Sequence, residues 1–174
     1  MKKILVAVDM QKDFIDGALG TAEACAIVPA AAAKIAAFDG KIFVTYDTHF
    51  DNYMETAEGK KLPVPHCIKG TEGWKLNKDI AAALKGKDFT AVEKNTFGSV
   101  KLPGLIKEAA EDEEFSVEFI GLCTDICVVS NVLIVKANYP EAAIMVDAAC
   151  CAGVTPEKHE AALETMRSCQ IDII

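Results

Sequence analysis

One short segment of the chain, residues 121–130, places a reactive side chain where the backbone pattern changes sharply. A strand-like apolar run leads into this segment, and a run of helical character leads out of it. Thr124 or Asp125 is expected to cap the helix with a side-chain oxygen, so that Cys127 falls in the first turn. Unpaired backbone N–H groups and the positive end of the helix dipole favour a thiolate there. The pattern predicts a nucleophilic cysteine at a corner between a strand and its helix.

Three charged residues, Asp9, Asp47 and Lys94, each stand at the carboxyl end of another apolar run. If these runs are parallel strands of one sheet, their ends meet Cys127 at the edge where open α/β sheets bind ligands. Asp9 could take the thiol proton and return it to a leaving group, while Lys94 would supply positive charge to the thiolate. The four residues together suit nucleophilic catalysis.

Short apolar runs alternate with helical stretches along the chain. The predicted strands are residues 3–8, 41–46, 89–93, 115–120, 143–146 and 171–174. The predicted helices are residues 28–38, 77–84, 102–110, 125–137 and 156–167, the first with Pro29 in its first turn. Continuous rather than alternating apolar runs are typical of strands buried on both faces of a parallel sheet. The sequence therefore predicts a Rossmann-like, three-layer α/β/α fold with a doubly wound, six-stranded parallel sheet.

Residues 47–73 interrupt the alternation and are predicted to form a long polar loop, which holds two of the three histidines. Loops of that length inside a compact domain are usually functional. The third histidine, His159, falls on a charged helix and is expected to be solvated rather than functional. The glycine patterns of dinucleotide-binding and P-loop sites are absent, so nucleotide binding by those devices has no support.

Composition limits the classes of function. The chain has 174 residues, of which 51% are hydrophobic and 25% charged, which suits one domain spanning residues 1–174. A net charge of −8 and the lack of a Lys/Arg-rich block argue against nucleic acid or an anionic membrane as partners. The first apolar run is too short for a signal peptide, and seven scattered cysteines suit a reducing compartment. We expect a cytoplasmic protein that acts on a small molecule, and the sequence leaves open whether it forms a homo-oligomer.

Five segments carry a resemblance to a known family. They are residues 8–14 (VDMQKDF), 47–49 (DTH), 65–74 (PHCIKGTEGW), 93–97 (EKNTF) and 121–128 (GLCTDICV). Their order and spacing resemble the cysteine hydrolase (isochorismatase-like) superfamily, and within it the nicotinamidases, over nearly the whole chain. The resemblance implies a catalytic triad of Asp9, Lys94 and Cys127. It also implies hydrolysis of nicotinamide to nicotinate and ammonia, a step of NAD salvage.

The resemblance further implies a divalent metal beside the triad, most simply zinc, with iron or manganese as alternatives. Asp47, His49 and His66 match the oxygen and nitrogen ligands of such a site. Many nicotinamidases carry a further histidine between these positions, but residues 50–65 contain none. Glu58 is therefore the candidate for the fourth ligand, directly or through water.

The same family commonly has a cis peptide bond at the corner, which by position would join Cys123 and Thr124 next to the oxyanion donors. Phe14, Trp74 and Phe97 are candidates for the aromatic walls of a pocket that holds a flat ring.

Other interpretations remain open at this stage. One is another amidase of the superfamily, which acts on an N-carbamoyl or ureido substrate without a metal. Isochorismatase proper is less favoured, because members of that branch lack the cysteine that stands at position 127. A different class is a non-catalytic thiol sensor that uses Cys123 and Cys127, four residues apart at the start of a helix.

Overall fold

The structure of the protein, a computed structural model, describes all residues from 1 to 174. Its strands are β1 (Lys2–Val8), β2 (Lys41–Asp47), β3 (Phe89–Lys94), β4 (Phe115–Leu122), β5 (Ala143–Ala152) and β6 (Asp172–Ile173). Its α-helices are α1 (Lys12–Ile15), α2 (Ala22–Ala37), α3 (Ala57–Lys61), α4 (Lys78–Ala83), α5 (Leu102–Ala110), α6 (Val129–Asn138) and α7 (Pro156–Ser168). None of these helices is long and apolar enough to cross a membrane.

All six strands join one parallel sheet in the order β3-β2-β1-β4-β5-β6. The predicted fold is confirmed: strand order reverses on either side of β1, as in a doubly wound sheet. Because every strand runs in the same direction, the carboxyl ends of β1, β2, β3 and β4 lie along one edge. Asp9 follows β1 there, and Asp47 and Lys94 are the last residues of β2 and β3.

The continuous apolar runs have the burial that the sequence predicted. Ile4 to Val8 of β1 are all buried, because helices cover both faces of the sheet. On one face, side chains of α5, α6 and α7 pack against the strands, with Val132 and Leu163 at the centre. On the other face α2 and α4 do so, with Ile35 and Ile80. Burial of these apolar surfaces is the main term that stabilises the layers.

Helix α2 differs from its prediction, which began it at residue 28 with Pro29 in the first turn. The helix begins at Ala22, where Thr21 Oγ1 accepts a hydrogen bond from Ala24 N at 3.0 Å, and Pro29 lies inside it. Proline lacks the N–H that an inner helical position donates. The cap at Thr21 and the buried apolar face of α2 offset that loss, so the alanine-rich segment stays helical on both sides of the proline.

Strand β5 is longer than the predicted residues 143–146, and its pairing with β4 shifts register between Phe119 and Gly121. Gly121 has φ +119°, in the region that favours glycine. A Cβ atom at this position would lie 2.1 Å from the carbonyl oxygen of Val8. The absence of a side chain at 121 therefore lets β4 approach β1 just before Asp9.

Candidate active site

The corner that carries Cys127 begins where β4 ends. The Leu122–Cys123 peptide bond is cis, and the next turn, Thr124–Val128, is π-helical and leads into α6. The cis bond thus lies one residue before the expected Cys123–Thr124 position, which corrects that expectation. The physical reason is that Thr124 already belongs to the helical turn, so the change of direction falls between the last strand residue and Cys123.

Hydrogen bonds hold this turn closed from within. The N–H groups of Ile126 and Val128 donate to the carbonyl oxygen of Cys123, at 3.0 and 3.1 Å. Asn131 Nδ2 donates to the carbonyl oxygen of Cys127 at 2.7 Å, and Asn131 Oδ1 accepts from Ser99 N at 2.9 Å. The turn is therefore joined to the segment after β3 as well as to α6.

Asp9, Lys94 and Cys127 lie in contact. Lys94 Nζ is 2.6 Å from Asp9 Oδ2 and donates to Cys127 Sγ at 3.5 Å. Thr45 Oγ1 donates to Asp9 Oδ1 at 2.6 Å, so the carboxylate is held from β2 as well. All three side chains are buried, with Asp9 fully so. Asp9 also has φ +48°, an uncommon backbone conformation for a residue other than glycine and one often found at functional sites.

Burial and charge together set the protonation of this group. Burial raises the pKa of the Cys127 thiol well above its usual value, Asp9 adds to the rise, and Lys94 opposes it. Burial therefore favours the thiol and opposes the thiolate that the helix start alone favours. Burial also raises the pKa of Asp9, against the attraction of Lys94, which makes Asp9 a stronger base than an exposed carboxylate. Burial would lower the pKa of Lys94, but the charge of Asp9 and, less strongly, that of Asp47 outweigh it and raise the pKa.

Beside the triad lies the metal-ligand cluster, composed of Asp47, His49, Glu58 and His66. One ligand atom from each of these residues lies within 4.8 Å of the others. Nε2 of His49 and of His66 are 3.0 and 3.5 Å from Asp47 Oδ2, and both are 3.7 Å from Glu58 Oε1. Glu58 is carried by α3, within the segment predicted to be an irregular loop.

The donor set of the cluster fits a divalent transition metal. Two imidazole nitrogens and two carboxylate oxygens suit zinc, iron or manganese. His66 Nδ1 lies 2.8 Å from the carbonyl oxygen of Val64, which fixes that nitrogen as the N–H donor and turns the lone pair of Nε2 towards the cluster. Burial alone would raise the pKa of Asp47, but hydrogen bonds with His49 and His66 and the charge of Lys94 lower it, so its carboxylate stays charged.

Cys127 and the cluster open into one cavity of about 940 Å³, which Asp9 and Lys94 do not line. Phe14, Phe97, Cys127 and the four residues of the cluster are among those that line it. Phe14 also packs edge-on against His66, with ring centroids 5.4 Å apart. Trp74 is not among the lining residues. Its ring lies 5.4 Å from Tyr46, and its Nε1 donates to Thr48 Oγ1 at 3.0 Å, so it supports a lining residue from behind.

Three buried polar residues support the site without having been singled out from the sequence: Thr45, Gln11 and Asn131. Gln11 Nε2 donates to the carbonyl oxygens of Asp47 and Trp74, while its Oε1 accepts from Asp47 N at 2.7 Å. Of the three, only Thr45 could have been found from the sequence. If β1 and β2 are parallel neighbours, a polar residue near the end of β2 lies beside the end of β1. Gln11 and Asn131 depend on the path of loops and gave no such signal.

His159 also differs from its expectation as a solvated residue. It is half-buried, and its Nδ1 lies 2.8 Å from Thr124 Oγ1 at the corner.

The fold is that of the cysteine hydrolases. The isochorismatase domain model matches residues 3–174, and the chain therefore belongs to the isochorismatase family. The comparison with curated proteins gives no match.

Among solved structures, the chain is similar to the pyrazinamidase/nicotinamidase of Streptococcus mutans, with 28% identity, 99% of each chain covered and a TM-score of 0.85. It is also similar to the N-carbamoylsarcosine amidase of Thermoplasma acidophilum, with 25% identity, coverage of 99% and 95%, and a TM-score of 0.78. The pyrazinamidase of Pyrococcus horikoshii in complex with zinc shares the fold, with 23% identity, coverage of 100% and 99%, and a TM-score of 0.76. The protein is thus an amidohydrolase-type member of the family, related in structure to enzymes that differ in their amide.

Proposed function

We propose that the protein hydrolyses a small aromatic carboxamide, most simply nicotinamide to nicotinate and ammonia, through a thioester on Cys127. The observation that carries this proposal is the contact of Asp9, Lys94 and Cys127 beside the metal-ligand cluster, with Cys127 and the cluster open to one cavity. Similarity to the Streptococcus mutans enzyme supports the choice of amide.

In the first half of the reaction, Asp9 takes the proton of Cys127 and Sγ attacks the carbonyl carbon of the amide. The π electrons of the carbonyl move to its oxygen, next to the backbone at Cys123, Thr124 and Cys127, where an N–H donor would stabilise the charge. Collapse of this intermediate breaks the C–N bond, and the proton held by Asp9 goes to the departing nitrogen as ammonia leaves. Lys94 remains an ammonium throughout and stabilises whichever of Asp9 and Cys127 is negative.

In the second half, Asp9 takes a proton from water, whose oxygen attacks the thioester carbonyl. The C–S bond then breaks, the proton returns to Sγ, and the carboxylic acid product leaves as its carboxylate. The cycle consumes one water for each amide and releases one ammonia, so it needs no other reactant.

The residues that would hold a metal are Asp47, His49, Glu58 and His66, and zinc is the first candidate because their donor types suit it. The zinc complex of the Pyrococcus horikoshii relative supports that choice. A bound divalent ion supplies a Lewis acid that a ring nitrogen of the substrate can bind. Phe14 and Phe97 would flank the ring, which leaves a carboxamide at the 3-position to face Cys127.

A panel of amides assayed for ammonia release tests this proposal. Nicotinamide and pyrazinamide keep the ring nitrogen and should both be cleaved, whereas benzamide lacks it. Loss of such a built-in contact commonly costs about 10⁴-fold in kcat/KM, so benzamide should be slower by roughly that factor. Cys127→Ala protein serves as the background control. Equal turnover of benzamide and nicotinamide would refute the nicotinamidase assignment.

A second candidate is an amidase for N-carbamoyl compounds, which the Thermoplasma acidophilum relative favours. N-carbamoylsarcosine belongs in the same panel for this reason. If it releases ammonia faster than nicotinamide does, the thioester chemistry stands and the substrate assignment changes. Metal analysis also distinguishes the nicotinamidase from the N-carbamoyl amidase, since the second function would require no metal.

A further inference from the structure

The side chains of Thr124 and Asp125, which were expected to cap the helix at the corner, form hydrogen bonds outside that helix instead. The N-cap residue of the π-helical turn is Cys123, and no side chain caps the turn. Asp125 Oδ1 accepts a hydrogen bond from Val154 N at 2.9 Å, and Thr124 Oγ1 shares one with His159 Nδ1 at 2.8 Å. Asp125 thus reaches from the corner to the segment that links β5 to α7, and Thr124 reaches to the first turn of α7.

That segment holds His159 in a fixed position. Thr155 caps α7 by accepting from Lys158 N at 3.3 Å, and His159 N donates to the carbonyl oxygen of Thr155 at 3.0 Å. A Cβ atom on Gly153 would lie 2.7 Å from His159 N and 3.0 Å from Asp125 Oδ1. Only glycine therefore fits at 153, where the backbone lies against both the first turn of α7 and Asp125 of the corner.

Thr124 transmits this contact to the nucleophile. The residue is fully buried and opens the turn that contains Cys127. His159 does not line the cavity, whereas its neighbours Val154 and Lys158 do. Its ring therefore acts on the reaction only through the backbone that it orients. A displacement of about 1 Å in a reacting group can cost roughly a hundredfold in rate, so the orientation of this turn matters.

We propose that His159 is a positioning residue: its hydrogen bond with Thr124 holds the turn that aims Cys127 at Asp9, Lys94 and the substrate carbonyl. The inference rests on Cys127 being the nucleophile of the proposed function. It assigns a role in the reaction to a histidine that touches neither the substrate nor the metal-ligand cluster.

The test uses variants that differ in where they place a polar atom. His159→Leu removes the hydrogen bond. Asparagine has its amide atoms two bonds from Cβ, like Nδ1 of histidine, whereas those of glutamine lie three bonds away. Thr124→Val removes the hydroxyl and Thr124→Ser keeps it. Glu160→Gln, an exposed residue on the same helix, is the matched control.

His159→Leu and Thr124→Val should each lower kcat by about ten- to a hundredfold with KM within roughly twofold of the parent protein. The double variant should be no slower than the slower single one, because both changes remove one interaction. His159→Asn and Thr124→Ser should recover most of the activity, and His159→Gln should not. If the variants only damaged the structure, the loss of activity would instead parallel the fall in melting temperature, and asparagine and glutamine at position 159 would have the same effect.

Alkylation of Cys127 by iodoacetamide gives a second readout that needs no substrate. Mass spectrometry follows the Cys127 peptide, with exposed Cys169 as the internal reference. The alkylation rate of Cys127 should differ from that of the parent protein in His159→Leu and return to the parent value in His159→Asn. This result is expected even if nicotinamide proves not to be the substrate. The proposal is overturned if kcat of His159→Leu stays within twofold, if the single effects add in the double variant, or if glutamine restores as well as asparagine.

Discussion

The triad and the metal-ligand cluster meet at one cavity, which the triad reaches through Cys127, but the two groups are built differently. Asp9, Lys94 and Cys127 come from the ends of three strands or the turn that follows, and each is at most 5% exposed. In the cluster, only Asp47 ends a strand, while His49, His66 and Glu58 belong to the segment between β2 and α4. The Glu58 side chain is 24% exposed. The parallel sheet thus fixes the atoms that would react under the proposed function, and a loop supplies the groups that would select the substrate.

The two parts are joined through one contact. Lys94 Nζ lies 3.7 Å from Asp47 Oδ1 as well as 2.6 Å from Asp9. The charge of Asp47 therefore acts on the lysine of the triad, and the charge of Lys94 acts on a metal ligand. If the division between reacting and selecting groups is correct, changes in the triad should act on kcat and changes in the cluster should act mainly on KM.

The largest effect is expected for Cys127→Ala. Loss of the nucleophile should lower kcat by at least about 10⁴-fold, as for the nucleophiles of other acyl-transfer enzymes. The buried side chain is small, so thermal unfolding should still be cooperative. Ammonia release and circular dichroism measure the two outcomes, and Cys169→Ala is the control at an exposed cysteine. Substantial residual turnover would exclude a thioester.

Lys94→Ala should have the next largest effect, and it should change the pH dependence. Lys94 lowers the pKa values of the Cys127 thiol and of Asp9, so its removal raises both. Asp9 must be ionised to accept the proton. The acid limb of the kcat/KM profile should therefore move to higher pH while kcat falls.

The pH profile of Lys94→Ala is compared with that of Lys107→Ala, which removes an exposed cation from α5. An unchanged profile would remove Lys94 from the triad. The melting temperature should also fall, because Asp9 then lies buried without its cation.

The cluster should respond in a graded way. His49→Ala removes a buried nitrogen ligand and should abolish stoichiometric metal binding, whereas Glu58→Gln should keep part of it because Glu58 lies at the exposed side. Elemental analysis of purified protein measures metal occupancy. Loss of the metal should raise KM clearly while the melting temperature stays close to that of the parent protein. Glu55→Gln is the control, an exposed acidic residue nearby. Full activity in protein that carries no metal would contradict this prediction.

The smallest effects are expected at Phe97 and Trp74, which the sequence analysis both assigned to the pocket wall. Phe97 is 48% exposed and lines the cavity, so Phe97→Ala should raise KM by roughly fivefold, about 1 kcal/mol of ring contact. Trp74→Phe keeps an aromatic ring but loses the hydrogen bond to Thr48, and because Trp74 does not line the cavity it should leave KM nearly unchanged. A larger rise of KM for Trp74→Phe than for Phe97→Ala would mean that substrate reaches Trp74.

Sequence reasoning succeeded where burial alone determines structure. The apolar runs of β1, β2 and β4 are covered on both faces, so their composition indicates a parallel sheet, and the residues that follow them must share an edge. Asp9, Asp47 and the corner that carries Cys127 could be placed by that argument. The partners of the cluster needed the family resemblance, since nothing in residues 50–66 indicates how far that loop folds back.

The details that differed depend on balances between neighbouring residues. Pro29 lies inside α2 because the side chain of Thr21 caps the helix at Ala22, so that the helix begins well before the proline. The side chains of Thr124 and Asp125 bond to the segment after β5 rather than to their own helix, which no local pattern reveals. Burial opposes the helix dipole at Cys127 and raises the pKa of its thiol.

The close approach of β4 to β1 at Gly121 limits how this enzyme can diversify. A Cβ at that position would meet the backbone that carries Asp9, so a saturation library should return glycine almost alone at 121. Exposed residues of the segment after β2, such as Phe50 and Leu62, line the same cavity without supporting a strand. Directed evolution towards new amides should therefore accumulate its accepted substitutions on the loop side of the cavity and leave the sheet side invariant.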